Sequence, residues 1–292
     1  MSELPPEVHR LIDAALTEDQ AFNDPTTQAL VPPEIRGIGM VRAKAHGVLA
    51  GVEVAMAVFR RLDASLNTQI LLSDGSELSP GDDIARVDGP AGGILRAERV
   101  GLNFLQRMSG IASETNRYVR AIEGSKARIV DTRKTVPGLR YLDKYAVRMG
   151  GGYNHRLNLA DGILIKDNHI EALRSRELGL KEVIQLALSR ASHTIKVEVE
   201  VETLEGVREA VDAGAHIIML DNMPVEMMRQ AMDIIAERAV VEASGGITME
   251  TVRAVAGTGV DLISIGGLTH SPIALDISLD LEFPPELSPN SS

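Results

Sequence analysis

From residue 127 onward, apolar runs of strand length alternate with segments whose apolar residues recur at helical spacing. The predicted strands cover residues 128–132, 162–166, 195–201, 217–221, 240–244 and 262–266. The predicted helices between them cover residues 139–149, 180–190, 204–213, 225–236 and 249–256. Repeated βα units of this spacing indicate parallel strands covered by helices, in either a barrel or an open doubly wound sheet. No GxGxxG motif follows a strand and opens a helix, which disfavours a dinucleotide-binding fold.

The first hundred residues have a different pattern, typical of a small α+β module. Helical spacing predicts helices at 7–18 and 52–62, and a proline-containing loop runs to residue 33. Alternation and turn residues predict strands at 39–50, 70–72, 84–87 and 94–97. A long helix at 98–122 then bridges to the βα repeats. Residues 273–281 alternate again and are expected to return to the first domain as a strand, and 284–292 are expected to be disordered.

Polar residues cluster at the ends of the predicted parallel strands. They are Asp131-Thr132-Arg133-Lys134, Lys166-Asp167, Glu198 with Glu200, Asp221-Asn222, Ser244-Gly245-Gly246 and Gly266-Gly267. In a parallel α/β barrel the carboxyl ends of the strands line one mouth, where such enzymes keep their chemistry. The sequence therefore predicts one mouth that holds cations, carboxylates and glycine turns together.

The stretch 131–169 is a cationic island in an acidic chain. It contains seven Lys or Arg residues against four acids, whereas the whole chain has 30 basic and 41 acidic residues. A solvated helix face is the ordinary explanation of a charge run. Cations at strand ends and after the loop Gly150-Gly151-Gly152 fit a pocket for a highly charged anion better, because closely packed cations repel unless a ligand compensates them.

Two further features of the strand ends have both a structural and a functional explanation. Adjacent glycines at 245–246 and 266–267 favour close approach of backbone N–H groups to a phosphate, although tight turns with positive φ also need glycine. Glu198, Glu200 and Glu202 share one face of an alternating strand. A carboxylate inside a barrel needs a cation, a metal or a sugar hydroxyl, and Glu202 is expected to be solvated.

Composition limits the possible functions. The 292 residues include no cysteine, so neither a disulfide nor a thiolate site is possible. A net charge of −11 argues against general nucleic-acid binding. The N-terminus lacks the pattern of a secretion signal, and no uncharged apolar run approaches the roughly 18 residues of a membrane span. The expected location is the cytoplasm.

Several ordered motifs resemble those of the quinolinate phosphoribosyltransferase family. They are DTRKTVPGLR (131–140), GGGYNHR (150–156), LIKDNH (164–169), VEVEVE (197–202), IIMLDNM (217–223), EASGGI (242–247) and ISIGGLTHS (263–271). The resemblance covers nearly the whole chain. It implies an α/β fold with an N-terminal α/β sandwich followed by an incomplete, open parallel barrel. The expected divisions are 1–110 with the bridging helix, 111–272 as the barrel, and 273–292 as returning strand and tail.

The resemblance also implies an activity. The expected enzyme transfers phosphoribosyl from phosphoribosyl pyrophosphate to quinolinate with decarboxylation, in NAD biosynthesis. The products are nicotinate mononucleotide, pyrophosphate and CO₂. Mg²⁺ is the expected cofactor, near Glu200 and Asp221 through water or substrate oxygens. The expected assembly is a homodimer or a higher homo-oligomer with shared active sites, because the position matching Arg99 reaches the partner subunit's pocket in this family.

Residue roles carry over position by position. Catalytic roles fall on Lys134, Lys166, Glu200 and Asp221. The implied shell of quinolinate is Arg99, Arg133, His155, Arg156 and Lys166, with Lys134 and Lys166 toward the pyrophosphate. Glu200 and Asp221 are implied to meet the ribose hydroxyls, and Ser244, Gly245, Gly266 and His270 to hold the 5-phosphate. The remaining substrate-binding positions are Thr132, Gly246 and Gly267.

Three alternatives use the same residues differently. A Schiff-base barrel lyase would use Lys166 as a deprotonated amine. A non-catalytic anion or nucleotide sensor would need the cations but not Glu200 and Asp221. A related phosphoribosyltransferase of the same superfamily, of which the molybdenum-associated relatives are the nearest example, would act on another base.

Overall fold

The chain folds into two compact units, each with its own sheet. The computed structural model describes residues 4–173 and 176–283. Among these, the first unit comprises residues 4–114, 137–150 and 272–283, and the second comprises 115–136 and 151–271. Residues 284–292, expected to be disordered, lie outside the described residues. Among the residues that the structure describes, no helix is long and apolar enough to cross a membrane.

The helices lie close to the predicted positions from residue 180 onward. In chain order they are α1 Pro6–Glu18, α2 Pro25–Leu30, α3 Val52–Leu62, α4 Ala91–Ala121, α5 Arg140–Met149, α6 Asp167–Leu173, α7 Leu180–Arg190, α8 Leu204–Ala213, α9 Val225–Ile235, α10 Val252–Ala256 and α11 Gly267–His270, with a 3₁₀ turn at Ala21–Asn23. Helix α8 illustrates the local signals: the Thr203 hydroxyl accepts from the Gly206 N–H, and Gly214 ends the helix at φ 82°.

Four of the six strands predicted after residue 127 are shortened at their ends, whereas those predicted at 217–221 and 240–244 keep their full length. The segment predicted as one strand at 39–50 forms two strands, and the strand predicted at 84–87 is longer. In chain order the strands are β1 Arg36–Ala43, β2 Gly47–Val48, β3 Asn67–Ile70, β4 Glu77–Leu78, β5 Asp83–Pro90, β6 Arg128–Val130, β7 Ile163–Ile165, β8 Val197–Val201, β9 Ile217–Asp221, β10 Val240–Ser244, β11 Leu262–Ser264 and β12 Ile277–Glu282. The residues lost from the predicted ends, such as Thr132 and Lys166, leave the ladder and are available to the site.

The first unit is built around an antiparallel sheet in the order β12-β1-β5-β3. The last strand returns to the first, with Met40 opposite Asp280, and Met40 also lies opposite Arg86 of β5. Helix α3 is buried along most of its length, and Phe59 is 1% exposed. Apolar alternation in β1 and the apolar face of α3 together form this core.

The second unit contains a parallel sheet in the order β6-β11-β10-β9-β8-β7. Its edge strands β6 and β7 pair with β11 and β8 respectively. In the described part of the chain they do not pair with each other, so the barrel is open. The expected fold class, an N-terminal sandwich followed by an incomplete parallel barrel, is confirmed.

Two predictions for the first unit are wrong for identifiable reasons. Residues 94–97, predicted as a strand, belong to α4. Gly93 lies in this helix and allows close packing: a Cβ added at this position would lie 2.8 Å from Oδ2 of Asp63. The segment before residue 33, predicted as a loop, contains α2: Asp24 caps it by accepting from the Thr26 and Thr27 N–H groups, and Pro25 is its first residue.

The helix α5 belongs to the first unit by its contacts, although its sequence position lies among the βα repeats. Its face includes the fully buried Asp143, whose carboxylate receives two hydrogen bonds from Arg107 on α4. Sequence order places this helix with the barrel, and only the packing assigns it elsewhere.

Candidate active site

The predicted site residues line one cavity of about 750 Å³ at the carboxyl ends of the parallel strands. All of them except Arg99 contribute to its wall. The wall is formed by Thr132, Arg133, Lys134, His155, Arg156, Lys166, Glu200, Asp221, Ser244, Gly245, Gly246, Gly266, Gly267 and His270, with further contributions from residues such as Tyr118, Leu164, Met219 and Glu242. Arg99 is exposed on α4 in the first unit.

The cationic stretch divides between the two units. Arg140, Lys144 and Arg148 lie on α5 in the first unit, where Lys144 is 2% exposed. Arg133, Lys134, Arg156 and Lys166 line the cavity of the second unit. Charged residues on a helix are spread along its axis, by about 5 Å per turn. They therefore do not have to lie near the charged residues of the loops that precede and follow the helix.

Asp131 organises the loops that present the cations. It is fully buried at the end of β6. One carboxylate oxygen accepts from the Asn154 side chain at 2.6 Å and the other from the His155 N–H at 2.9 Å. The loop after Gly152 is also joined to β6 by a bridge between Val130 and Tyr153. These contacts hold His155 and Arg156 beside Arg133.

The guanidinium groups carry positive charge that the protein does not fully compensate. The Nε of Arg133 is buried and has no hydrogen-bond partner among the described residues. Burial, followed by the charge of Arg133, lowers the pKa of Arg156, whose Nη1 donates to the Gly162 carbonyl at 3.1 Å. A buried donor without an acceptor is costly, so an acidic ligand would stabilise this arrangement.

Carboxylates form the opposite wall, at the ends of β8 and β9. The Lys166 ammonium donates to Glu200 at 2.8 Å. Burial, then the charges of Glu200 and Glu202, raise the pKa of Asp221, which accepts from the Asn222 side chain at 2.7 Å. Glu202 itself is exposed, as expected. The Nζ of Lys166 is occupied as the donor in this ion pair, which disfavours the Schiff-base alternative.

Backbone geometry and a close contact require glycine at 245, whereas at 266 only contacts with side chains favour it. Gly245 has φ 86°, and an added Cβ would lie 2.2 Å from Oδ1 of Asn222. A Cβ at Gly266 would lie 2.8 Å from the Lys134 side chain. The helix expected from residue 249 begins at Val252, so a turn at 248–251 separates it from the glycines.

Beneath the cations lies a buried group of one histidine and two glutamates. His155 Nε2 is 3.1 Å from Oε2 of Glu198 and 3.6 Å from Oε2 of Glu242. Glu198 is 5% exposed and Glu242 is 1% exposed. The polar lining of the cavity therefore continues downward into the interior of the sheet.

Glu242 is the functional candidate that sequence reasoning misses. The strand β10 reads VVEAS, and strands of a parallel sheet are buried on both faces. An acid in the middle of such a strand is a detectable signal, because a buried carboxylate needs a partner. Glu198 is recognised as a strand-end acid, but its role receives no assignment from the sequence.

Both units match known families. Residues 24–109 match "Quinolinate phosphoribosyl transferase, N-terminal domain", and residues 111–280 match "Quinolinate phosphoribosyl transferase, C-terminal domain". Together the two matches cover most of the chain.

Similar proteins cover the chain nearly end to end. A probable nicotinate-nucleotide pyrophosphorylase (carboxylating) of Bacillus subtilis is 44% identical over 94% of this chain and 93% of its own length. The nicotinate-nucleotide pyrophosphorylase (carboxylating) of Mycobacterium leprae is 44% identical over 92% of this chain and 95% of its own. A solved nicotinate-nucleotide pyrophosphorylase from Francisella tularensis superposes with a TM-score of 0.89 at 37% identity, covering 96% of this chain and 98% of that one.

Proposed function

The chain belongs to the quinolinate phosphoribosyltransferase family, and from this premise we propose how its cavity carries out the family's reaction. The enzyme is a nicotinate-nucleotide pyrophosphorylase (carboxylating). It transfers phosphoribosyl from phosphoribosyl pyrophosphate to quinolinate and releases pyrophosphate and CO₂, which leaves nicotinate mononucleotide for NAD biosynthesis.

The observation that carries the residue assignment is the uncompensated charge of the buried guanidinium groups. Arg133 Nε has no acceptor, and Arg156 lies close enough to Arg133 to have its pKa lowered. Quinolinate has two adjacent carboxylates, and arginine binds a carboxylate through two parallel hydrogen bonds. We assign Arg133, Arg156, His155 and Lys166 to the quinolinate end of the cavity.

The 5-phosphate of the second substrate is assigned to the glycine turns. Gly245 and Gly246 both have positive φ, which turns the backbone sharply after β10. Backbone N–H groups in such turns bind phosphate oxygens without a side chain in the way. Ser244, Gly266, Gly267 and His270 complete this end, and Thr132 and Lys134 line the side where pyrophosphate leaves.

The ribose hydroxyls and the metal are assigned to Glu200 and Asp221. Burial and then the neighbouring negative charges raise the pKa of Asp221, and oxygen donors of this kind suit Mg²⁺. Lys166 already compensates Glu200, so the two residues fit an ion that keeps water and substrate oxygens as its remaining ligands. When bound, Mg²⁺ would neutralise charge on the pyrophosphate.

The chemical steps need no covalent enzyme intermediate. The quinolinate nitrogen forms a bond to C1 of the ribose as the bond from C1 to the pyrophosphate oxygen breaks. The bond between C2 and its carboxylate then breaks, CO₂ leaves, and the electron pair left on C2 takes up a proton. The protein contributes by positioning and by electrostatic stabilisation: Glu200 and Asp221 face the cationic ribose, and Lys134 and Lys166 face the departing polyanion.

We further propose that the active unit is a homodimer in which Arg99 completes the partner's cavity. Arg99 is exposed on α4, where a second subunit can reach it. Arg99→Ala and Lys134→Ala homodimers should both be nearly inactive. Mixing them should recover activity, because one hybrid cavity carries neither change. Absence of recovery despite demonstrated subunit exchange would refute the shared cavity. Location in the cytoplasm stays a prediction from the sequence.

One assay tests the function directly. Purified protein, Mg²⁺, phosphoribosyl pyrophosphate and quinolinate should yield equal amounts of nicotinate mononucleotide and CO₂. Excess EDTA should abolish the reaction, and Asp221→Ala should lose most turnover while the fold, measured by circular dichroism, is kept. Full activity in EDTA would refute the metal assignment. Absence of the mononucleotide, with turnover of another base, would favour the molybdenum-associated relatives.

A further inference from the structure

The buried group of His155, Glu198 and Glu242 contains more acceptors than donors. Neither oxygen of Glu242 and only one of Glu198 has a hydrogen-bond partner among the described residues. The Ser264 hydroxyl, on the neighbouring strand, donates to the Ala243 carbonyl at 3.4 Å. His155 Nε2 and one oxygen of each carboxylate lie within 4.8 Å of one another. Two adjacent buried carboxylates cannot both be ionised without a cation or a proton between them.

The hydrogen bonds of His155 decide between a proton and a metal ion. Its Nδ1 accepts from the Arg156 N–H at 2.8 Å, so Nδ1 carries no proton. The neutral ring then carries its proton on Nε2, which faces Glu198 and Glu242 as a donor. A metal ion would need Nε2 as a free acceptor, and both ring nitrogens would then lack protons. The missing partner in this group is therefore a proton.

The position of the proton follows from the distances. Glu198 lies nearer to the Nε2 proton, at 3.1 Å against 3.6 Å for Glu242, and its charge also stabilises the Arg156 guanidinium. The Nε2 proton is therefore directed at Glu198, and the second proton of the group falls to Glu242. Burial, then the charge of Glu198, raises the pKa of Glu242 to about 7.

The groups that face Glu242 compensate a negative charge only in part, because His155 and the nearby Ser264 hydroxyl favour the carboxylate less than burial and the acid Glu198 oppose it. They are the acid Glu198 from β8, His155 from the loop before β7 and the acid Asp131 at the end of β6, together with Met219 of β9 and Ser264 of β11. Asp131 is already an acceptor of two hydrogen bonds. Ionised Glu242 would be a third negative charge in this interior.

We infer that Glu242 is a positioning residue whose carboxylic acid proton must be present for the cavity to bind quinolinate tightly. This inference rests on the proposed function. As an acid, Glu242 adds no negative charge beside Glu198 and leaves the cations of the cavity free for the substrate. As a carboxylate, it places a charge under the quinolinate pocket that opposes a dianion. Proton and dianion therefore bind cooperatively, each raising the affinity for the other.

The protonated acid can be observed without any substrate. Infrared difference spectra between pH 6 and pH 9 should contain a carboxylic acid C=O band that disappears at high pH. Glu242→Gln should lack this band, whereas Glu202→Gln, a neighbouring but exposed acid, should keep it. Absence of the band from the wild type at pH 6 would overturn the inference.

The kinetic test measures the KM for quinolinate against pH at saturating phosphoribosyl pyrophosphate. In the wild type and Glu202→Gln, KM should rise above pH 7 by up to about tenfold per pH unit, with a smaller change in kcat. Glu242→Gln keeps a neutral donor, and its KM should stay flat. If that variant does not fold, calorimetric titration of wild type in two buffers decides, because quinolinate should take up a proton at pH 8 and none at pH 5.5.

These results distinguish a failure of the proposed role of Glu242 from a failure of the proposed enzyme function. Turnover with a KM that does not change between pH 6 and 9, or no proton uptake at pH 8, overturns the role of Glu242 and leaves the enzyme function intact. No turnover of quinolinate by the wild type refutes the proposed function. The infrared band would still report the buried proton in that case.

Discussion

Two buried acids, one in each unit, show opposite ways of handling a charge in the interior. Asp143 in the first unit is fully buried, and Arg107 donates to both of its oxygens, at 3.0 and 2.9 Å. Glu242 in the second unit is 1% exposed, and the neighbouring charge with the largest effect on it is that of another acid, Glu198. The protein compensates the charge of Asp143, and this pairing stabilises the fold. A proton neutralises Glu242, which leaves the cations of the cavity available to bind the substrate.

The largest effect should come from leaving the buried cations without their ligand. Nicotinate has one carboxylate where quinolinate has two, so one of Arg133 and Arg156 would stay desolvated and unpaired. Sites of this kind reject analogues by roughly 10⁴-fold or more. Initial rates with each acid test this, and comparable rates with nicotinate would refute the pocket assignment.

Two related measurements sharpen this test. Phthalate, which keeps both carboxylates but lacks the ring nitrogen, should inhibit without reacting. Arg156→Lys should weaken quinolinate binding although the charge is kept.

Removing a partner of the compensated acid should come next. Arg107→Ala deletes two hydrogen bonds to the fully buried Asp143, and breaking a buried ion pair costs about 3–5 kcal/mol. Urea unfolding at fixed protein concentration measures this loss. A loss below about 1 kcal/mol would mean that other groups around Asp143 compensate its charge.

The acid that is neutralised by a proton should affect the pH dependence of stability. Unfolded Glu242 ionises at its ordinary pKa of 4.5, while the folded protein holds the proton to about 7. Between these values only the unfolded chain releases this proton, so stability falls as pH rises, by about 1.4 kcal/mol per pH unit and about 3 kcal/mol in total. Above pH 7 this contribution stays constant. Glu242→Gln should lack it, seen as a shallower fall in unfolding free energy between pH 5 and 7. Equal slopes in both proteins would contradict the buried proton.

The smallest effect should come from an exposed ion pair of the first unit. Arg61 pairs with Asp13, and their side chains are 58% and 46% exposed. Water already solvates both charges, so Arg61→Ala should cost less than about 1 kcal/mol. The same urea measurement gives the baseline against which the loss in Arg107→Ala is judged. A loss as large as that of Arg107→Ala would show that burial is not what separates the two pairs.

Several elements follow from local patterns in the sequence. The strands β9 and β10 lie at the predicted residues, because apolar runs of this length between helical segments are typical of parallel sheets. The rim of the cavity is also predictable, since the residue after each parallel strand faces the same end. The failures at residues 94–97 and at α2 arise where glycine or proline serves packing or capping and was interpreted as a turn.

The sequence by itself determined the family, the open α/β barrel and the rim of the cavity, because motifs and periodicity are local properties of the chain. Tertiary structure alone decided that α5 belongs to the first unit and that Arg140, Lys144 and Arg148 lie outside the cavity. It also decided that Glu242 lies beside Glu198 and His155. The physical reason is that burial and charge pairing depend on neighbours from distant parts of the chain, and those neighbours exist only once the sheet has formed.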